Sequence, residues 1–273
     1  MDIPKELIEE IKEERVILFV GAGISENLGL APWETLIDEM ARELSYNKDV
    51  FKSMGNFLEL AEFYKLRKKS IGPLRSWMDI NWHNSNIKIE QSKIHKLIID
   101  LNFPIIYTTN YDRWIENAFD YYNKKYVKIV RIDDLVNIKN GVTQIIKFHG
   151  DLQDEPSIVL TESSYFERLS FETPLDIKLR GDILGKSILF IGYSLSDINI
   201  RYLLFKLNKL WAQSKVEKCR PKSYIFLLNK NLIQQEILES RGIKTIIADS
   251  KDKGNGVEEF LRILSEKIIT GNI

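Results

Sequence analysis

The chain has three histidines, His83, His95 and His149. The third stands in the run QIIKFHGDL, at the end of an apolar segment and followed by Gly150 and Asp151. An imidazole whose unperturbed pKa is near 6.5 exchanges its proton near neutral pH. Delivered into a cleft by a strand end, it is a candidate general base; the alternative is a histidine bonded to backbone that only holds the fold. Earlier in the chain, Asn110 and Asp112 stand in TTNYD. The amide offers a donor and an acceptor to a water or a hydroxyl. The carboxylate is either a ligand-binding group or the cap of the helix that follows. A third group, Gly21-Ala22-Gly23-Ile24-Ser25, closes another apolar run. Its glycines allow a tight turn and close approach to a ligand, and N–H groups exposed there can cradle a diphosphate; the alternative is a plain turn. The dinucleotide fingerprint G-x-G-x-x-G is incomplete, because Glu26 occupies the third glycine position.

These residues share one position: each group follows a short, continuous apolar run of the kind that forms strands buried on both faces. Strands are expected at 16–20 (VILFV), 104–108 (PIIYT), 144–148 (QIIKF), 187–191 (SILFI), 223–228 (SYIFLL) and 244–248 (KTIIA), with a further short candidate at 127–132 (VKIVRI). Helical patterns lie between them: one opened by Pro4 and running to about Glu14, then 33–45, 57–68, 92–101, 112–122, 162–170, 174–184, 197–212, 231–240 and 256–268. Strand and helix in alternation predict an α/β chain with a doubly wound, Rossmann-like parallel sheet. Residues 46–103 separate the first two strands by more than one crossover helix needs. They are expected to form a helical cap insertion over the sheet's carboxyl edge, within a single domain spanning 1–273. Ligands bind at that edge in open α/β sheets, which adds Thr109, Gly192, Tyr193, Ser194 and Asn229 to the candidates.

Lys+Arg and Asp+Glu number 39 each, so no chain-wide basic field for nucleic acid exists; KLRKK at 65–69 is the candidate for a local basic patch, the favoured alternative being a solvated helix face. One cysteine, Cys219, excludes an intramolecular disulfide and a cysteine-rich zinc ribbon; it is given no role. The start, MDIPKELIEEIKEER, lacks the apolar stretch of a secretory signal, and no run approaches a membrane span. A cytoplasmic protein without membrane or nucleic-acid partners is expected.

Taken together, GAGIS after the first strand, TTNYD after the second and FHGD after the third resemble the sirtuin family in order and context. GYS at 192–194 and LN at 228–229 stand where sirtuins have their later nucleotide-binding strand ends, so the resemblance spans roughly residues 16–250. Three departures stand out. Sirtuin deacylases carry four zinc cysteines after the His-Gly motif, and DLQDEPSIVLTESSYFERL has none. ENLGLAPWETL keeps Gly29, Pro32 and Trp33 of the sirtuin loop but lacks its arginine. The sirtuin T-Q-N-I-D becomes T-T-N-Y-D. The chain is thus similar to the divergent bacterial sirtuin-like branch, whose members commonly hydrolyse NAD in anti-phage defence, often controlled by a partner subunit or an attached sensor domain. The chain leaves little room for an attached sensor.

The resemblance implies NAD as substrate and no zinc. Ala22, Gly23 and Ser25, in the turn opened by Gly21, would hold the diphosphate through backbone and hydroxyl. Thr109 would stand beside Asn110. Gly192, Tyr193 and Ser194 would meet phosphate and the adenosine ribose, Asn229 would reach that ribose, and Asp249 would lie near the adenine. Asn110 would orient a water or the ribose hydroxyls, Asp112 would hold the nicotinamide carboxamide, and His149 would take a proton, with Gly150 leaving room for substrate. The implied activity is hydrolysis of NAD+ to ADP-ribose and nicotinamide in an abortive anti-phage defence system. The implied partners are further copies of the chain or a regulatory or sensor subunit encoded nearby. The cap at 46–103 and the helix at 197–212, with Trp211 at its end, are the surfaces considered for assembly; the alternative is that their apolar residues are core. Three readings compete. An NAD-dependent protein deacylase is disfavoured by the missing zinc module and arginine. A non-catalytic NAD or ADP-ribose sensor is disfavoured by His149 and Asn110. A Rossmann dehydrogenase is disfavoured by the absent third glycine.

Overall fold

Successive side chains of VILFV point to opposite sides, and both sides are covered. Val16, Leu18 and Val20 enter one apolar core, and Ile17 and Phe19 enter another. A strand covered on both faces gains nothing from alternating apolar with polar residues, which is why its sequence is continuous. In the computed structural model, which describes residues 1–170, 172–195, 197–213, 215, 220–248 and 253–271, this strand is the centre of the sheet. The strands are β1 (Val16–Val20), β2 (Ile105–Thr108), β3 (Tyr126–Ile129), β4 (Thr143–Lys147), β5 (Ser187–Ile191), β6 (Ser223–Leu227) and β7 (Ile243–Ile247). Their order is β3-β4-β2-β1-β5-β6-β7, and every pairing is parallel. All seven expected strands are present, the 127–132 candidate as the edge strand β3.

The helices among the described residues are α1 (Lys5–Lys12), α2 (Ala22–Glu26), α3 (Trp33–Glu43), α4 (Lys48–Ser53), α5 (Phe57–Lys68), α6 (Gly72–Trp82), α7 (Lys93–Leu101), α8 (Trp114–Tyr121), α9 (Glu162–Arg168), α10 (Pro174–Gly185), α11 (Ile198–Ala212), α12 (Leu232–Ser240) and α13 (Lys253–Thr270). On one face of the sheet, α7 packs on α13 and α8, and α1 packs on α13. On the other face, Leu179 and Ile183 of α10, Leu203 and Leu204 of α11 and Leu238 of α12 close the second core. Between β1 and β2, α4, α5 and α6 pack onto α3, and α5 reaches α9. The start of α5 is fixed by a capping box: the Asn56 side chain accepts from the Leu58 and Glu59 N–H groups, and Glu59 accepts from the Asn56 N–H. Such a cap contributes about 1 kcal/mol. No helix among the described residues is long and apolar enough to cross a membrane.

From β1 the chain passes to β2 on one side, and after β4 it crosses to β5 on the other side of β1. This reversal opens a crevice at the carboxyl ends of β1, β2 and β5, where an open parallel sheet binds its ligands.

Candidate active site

The turns after β1 and β5 interlock at that crevice. The Gly21 N–H donates to the Ile191 carbonyl at 2.9 Å, and the Gly23 N–H donates to the Gly192 carbonyl at 2.9 Å. A Cβ on Gly21 would stand 2.3 Å from the Gly192 oxygen, so the close approach requires a residue without one. The two glycine N–H groups thus hold the two turns together. The segment after Gly21 is also no plain turn but the single-turn helix α2.

The turn after β2 is tied to the same place by side chains. Thr108 Oγ donates to the Val20 carbonyl at 2.9 Å and accepts from the Asn110 N–H at 3.0 Å. The Asn110 amide donates to the Gly21 carbonyl at 3.1 Å and to Ser25 Oγ at 3.0 Å. Ser25 Oγ donates onward to Asp112 Oδ2 at 2.8 Å, and Asp112 Oδ1 accepts from the Trp114 N–H at 3.1 Å. All three side chains are buried. Two consequences follow. Ser25 donates its hydrogen to Asp112 and so links Asn110 to Asp112. Asn110 has both amide hydrogens engaged, which leaves its carbonyl oxygen as the group a ligand can meet. Asp112 combines the two alternatives: it tethers the start of α8 and also lines a pocket. Lys147, fully buried, braces this turn by donating to the Asp112 carbonyl, with Glu116 Oε1 at 3.3 Å. Burial raises the Glu116 carboxyl above its usual range.

His149 follows β4 and is buried. Arg168 of α9 donates to the Phe148 carbonyl at 2.8 Å and stacks on the Phe148 ring, while Asp176 of α10 receives its other hydrogen bonds. The carboxylate of Asp197 lies 3.2 Å from His149 Nε2, and the Tyr165 hydroxyl lies 3.4 Å from Nδ1. Burial pushes the His149 pKa down to about 4, opposed by Asp197 and assisted by Arg168. The ring is therefore neutral at pH 7 and able to accept a proton, though it is a weaker base than a free imidazole. Gly150 does not clear space for a substrate as expected. Its φ is +95°, and a Cβ there would meet the Ser157 carbonyl at 2.3 Å, so it makes room for the chain's own backbone.

Ala22, Gly23, Thr109, Asn110, His149, Gly192, Tyr193 and Ser194 all line one cleft of about 900 Å³, a volume in the range of cofactor and substrate sites. A smaller pocket opens from it, lined by Ser25, Asn110, Tyr111 and Asp112 and by the indoles of Trp33 and Trp82. Trp33 meets Tyr111 and Trp82 edge-on, with ring centroids 5.7 and 6.3 Å away. Trp33, Ile37, Phe57 and Leu58 form the cleft's helical wall. Neither Gly21 nor Asn229 lines the cleft; Gly21 lies behind Asn110, and the wall beside Asn229 is formed by Leu227 and Leu228. Asp249 is outside the described residues. Sequence reasoning missed Tyr165 and Asp197. The carboxylate was visible five residues beyond Gly192 in GYSLSD, but there it reads as the start of a helix, and it does cap α11.

The model of the SIR2-like domain family matches residues 104–246. The NAD(+) hydrolase ThsA of Bacillus cereus (strain MSX-D12) is 28% identical over 98% of this chain and 58% of its own length. ThsA of Enterococcus faecium is 28% identical over 85% of this chain and 48% of its own. The defense-associated sirtuin 2 of Bacillus subtilis is 28% identical over 90% of this chain and 24% of its own. The chain thus spans about half, or less, of the length of these relatives. Among solved structures, a Sir2 homolog–NAD complex superposes with a TM-score of 0.54 at 13% identity, covering 98% of this chain and 96% of that one. A Sir2 homologue variant bound to 2′-O-acetyl ADP ribose gives 0.53 at 14% identity, covering 97% and 98%; both share the fold. The motifs at three strand ends, the seven-stranded parallel sheet and the match over residues 104–246 lead to one conclusion: the chain belongs to the SIR2-like domain family.

Proposed function

We infer that the chain hydrolyses NAD+ to ADP-ribose and nicotinamide. The observation that carries this reading is the placement of Asn110 and His149 on one cleft with the Gly192–Ser194 turn, at the reversal point of the sheet. The names of the ThsA relatives support it.

Nicotinamide leaves NAD+ as a neutral base, so its departure needs no proton. The transition state resembles an oxocarbenium ion, as in glycoside cleavage. The protein's task is to place the ribose, seat the nicotinamide and aim a water. The nicotinamide would lie at the mouth of the small pocket of Trp33, Trp82 and Asp112, its carboxamide turned toward the Asp112 carboxylate. The free carbonyl oxygen of Asn110 would accept from the attacking water or a ribose hydroxyl, and His149 would take the proton. Ala22 and Gly23 would border the diphosphate, and Gly192, Tyr193 and Ser194 would contact phosphate and the adenosine ribose. Asn229, next to the cleft residue Leu228, would reach that ribose only after a local rearrangement. The helical segment 46–103 would act as a cap within one domain. In the cell, this activity would belong to a cytoplasmic anti-phage system and be restrained by a homo-oligomer or a nearby-encoded regulatory subunit. Ile198 and Phe205, half exposed on α11, offer one face for such assembly.

The test is nicotinamide release from NAD+ by the purified chain, alone and with proteins encoded beside it. His149→Ala and Asn110→Ala should each lower kcat by roughly 100-fold or more, the range for losing a proton-transfer or orienting group. Activity that survives both substitutions would overturn the assignment.

A further inference from the structure

Asp197 stands beside His149, and the reaction as described leaves it without a role. Its side chain is only 8% exposed. Oδ1 accepts from the Asn199 N–H at 2.8 Å and the Ile200 N–H at 3.3 Å, which fixes the carboxylate as the N-cap of α11. Oδ2 faces His149 Nε2 at 3.2 Å. An N-cap does not by itself require a charge, since Asn and Ser cap as well as Asp.

The imidazole is set asymmetrically. Nε2 has no solvent exposure and, among the described residues, no aligned hydrogen bond, so the Asp197 carboxylate faces it as a charge partner. Such contacts are often loose in a ligand-free site and tighten when substrate binds. Nδ1 has the Tyr165 hydroxyl at 3.4 Å. That phenol is held well above its usual pKa by burial, so it keeps its hydrogen and can donate to a lone pair. A carboxylate on one nitrogen and a hydroxyl donor on the other favour a single tautomer.

We propose that Asp197 is a positioning residue that holds His149 as the tautomer protonated on Nε2, so that Nδ1 receives the proton during catalysis. This rests on the hydrolase reading and specifies how its base is prepared. In the step, an O–H bond of the attacking water breaks as its proton passes to the Tyr165 oxygen, while the Tyr165 O–H bond breaks and that hydrogen forms the Nδ1–H bond. The water's electron pair goes to the anomeric carbon, and the glycosidic bond's electrons leave with the nicotinamide nitrogen. The imidazolium is then balanced by the Asp197 carboxylate until its proton passes to solvent. The charged and titratable groups around the ring and its carboxylate are Arg168 and Tyr165 from α9, Asp176 from α10, Asp197 before α11 and Tyr193 after β5, whose hydroxyl neighbours Asp197; Arg168 disfavours the imidazolium, and both carboxylates favour it.

Asp197→Asn and Asp197→Ser separate this role from capping, because both keep an N-cap. With three histidines in the chain, imidazole ¹⁵N NMR at pH 7 reads the tautomer of His149 directly, with His149→Gln as the assignment control. The wild type should carry its hydrogen on Nε2, and Asp197→Asn should shift the population toward Nδ1–H. In the same variant, kcat for nicotinamide release should fall at least ~10-fold with KM little changed, and Tm should stay at the wild-type value. A wild-type ring protonated on Nδ1, a tautomer indifferent to both substitutions, or an unchanged kcat overturns the proposal. When neither variant folds, the wild-type tautomer decides alone. A wild type that never releases nicotinamide removes the hydrolase reading, and the NMR result still decides whether Asp197 sets the ring.

Discussion

Asn110 has two amide hydrogens and one carbonyl oxygen, and among the described residues only the hydrogens are engaged. The Gly21 carbonyl would do so in any chain that turns here, but Ser25 Oγ is a side-chain choice. Ser25→Ala removes the atom that joins Asn110 to Asp112. It leaves one amide hydrogen and one lobe of a buried carboxylate without a partner, at a cost of about 1–3 kcal/mol. With one of its two anchors gone, the amide can turn its oxygen away from the cleft. Urea denaturation should show the loss of stability. Nicotinamide release, measured where the variant is fully folded, should fall more than ~10-fold, since orientation within an active site is worth orders of magnitude. A variant that loses stability but keeps full turnover would show that Ser25 supports the fold and not the chemistry.

His149 lies beyond the last hydrogen-bonded residue of β4, so other elements must fix it. Arg168 does this from α9 by holding the Phe148 carbonyl, and Asp176 holds Arg168 from the start of α10 while accepting from the Thr173 N–H at 3.2 Å. Removing one member of a buried ion pair strands the other and costs on the order of 3–5 kcal/mol. Arg168→Ala should therefore lower Tm by roughly 10 °C, given about 2–4 °C per kcal/mol for chains near this size. Calorimetry checks it, and a shift of only a degree or two would mean that Asp176 finds solvent or another donor. This arrangement also marks the limit of sequence reading. The strands were legible because burial on both faces makes continuous apolar runs, and the strand ends followed from them. Helices α2, α4 and α6 were not: AGISE and KDVFKS are too short to display a period, and GPLRSWMDINW opens on Gly-Pro and mixes its aromatic and polar residues. Tyr165 and Arg168 were illegible as site residues, because they lie on a short helix that looks like any amphipathic segment. Only the chain's path back over β4 brings them to the imidazole.

All three histidines are shifted in the same direction, and this gives the fold a common acid limit. Burial is the leading cause each time: it brings His149 and His95 down to about 4 and lowers His83, where Arg113 adds to the effect. In the unfolded chain these rings take up protons near pH 6.5, whereas in the folded chain His149 and His95 resist until about 4 and His83 is lowered in the same direction. Between those values the unfolded state binds more protons, so the stability these rings contribute is complete above pH 6.5 and is lost as pH falls toward 4. At 1.36 kcal/mol per pH unit, the drop from 6.5 to about 4 is on the order of 3 kcal/mol for each of His149 and His95. Together they approach the whole stability of an ordinary domain, about 5–15 kcal/mol. Calorimetric scans at half-unit steps from pH 7 to 5, a window above most carboxylate titration, should show Tm falling steadily. His95→Gln should flatten that fall, because His95 meets Ser92 Oγ at 2.7 Å through Nδ1 while its Nε2 is buried without a partner among the described residues. A neutral amide there has no proton to gain. The same slope in wild type and His95→Gln would place the acid sensitivity elsewhere, at His149 itself or at His83.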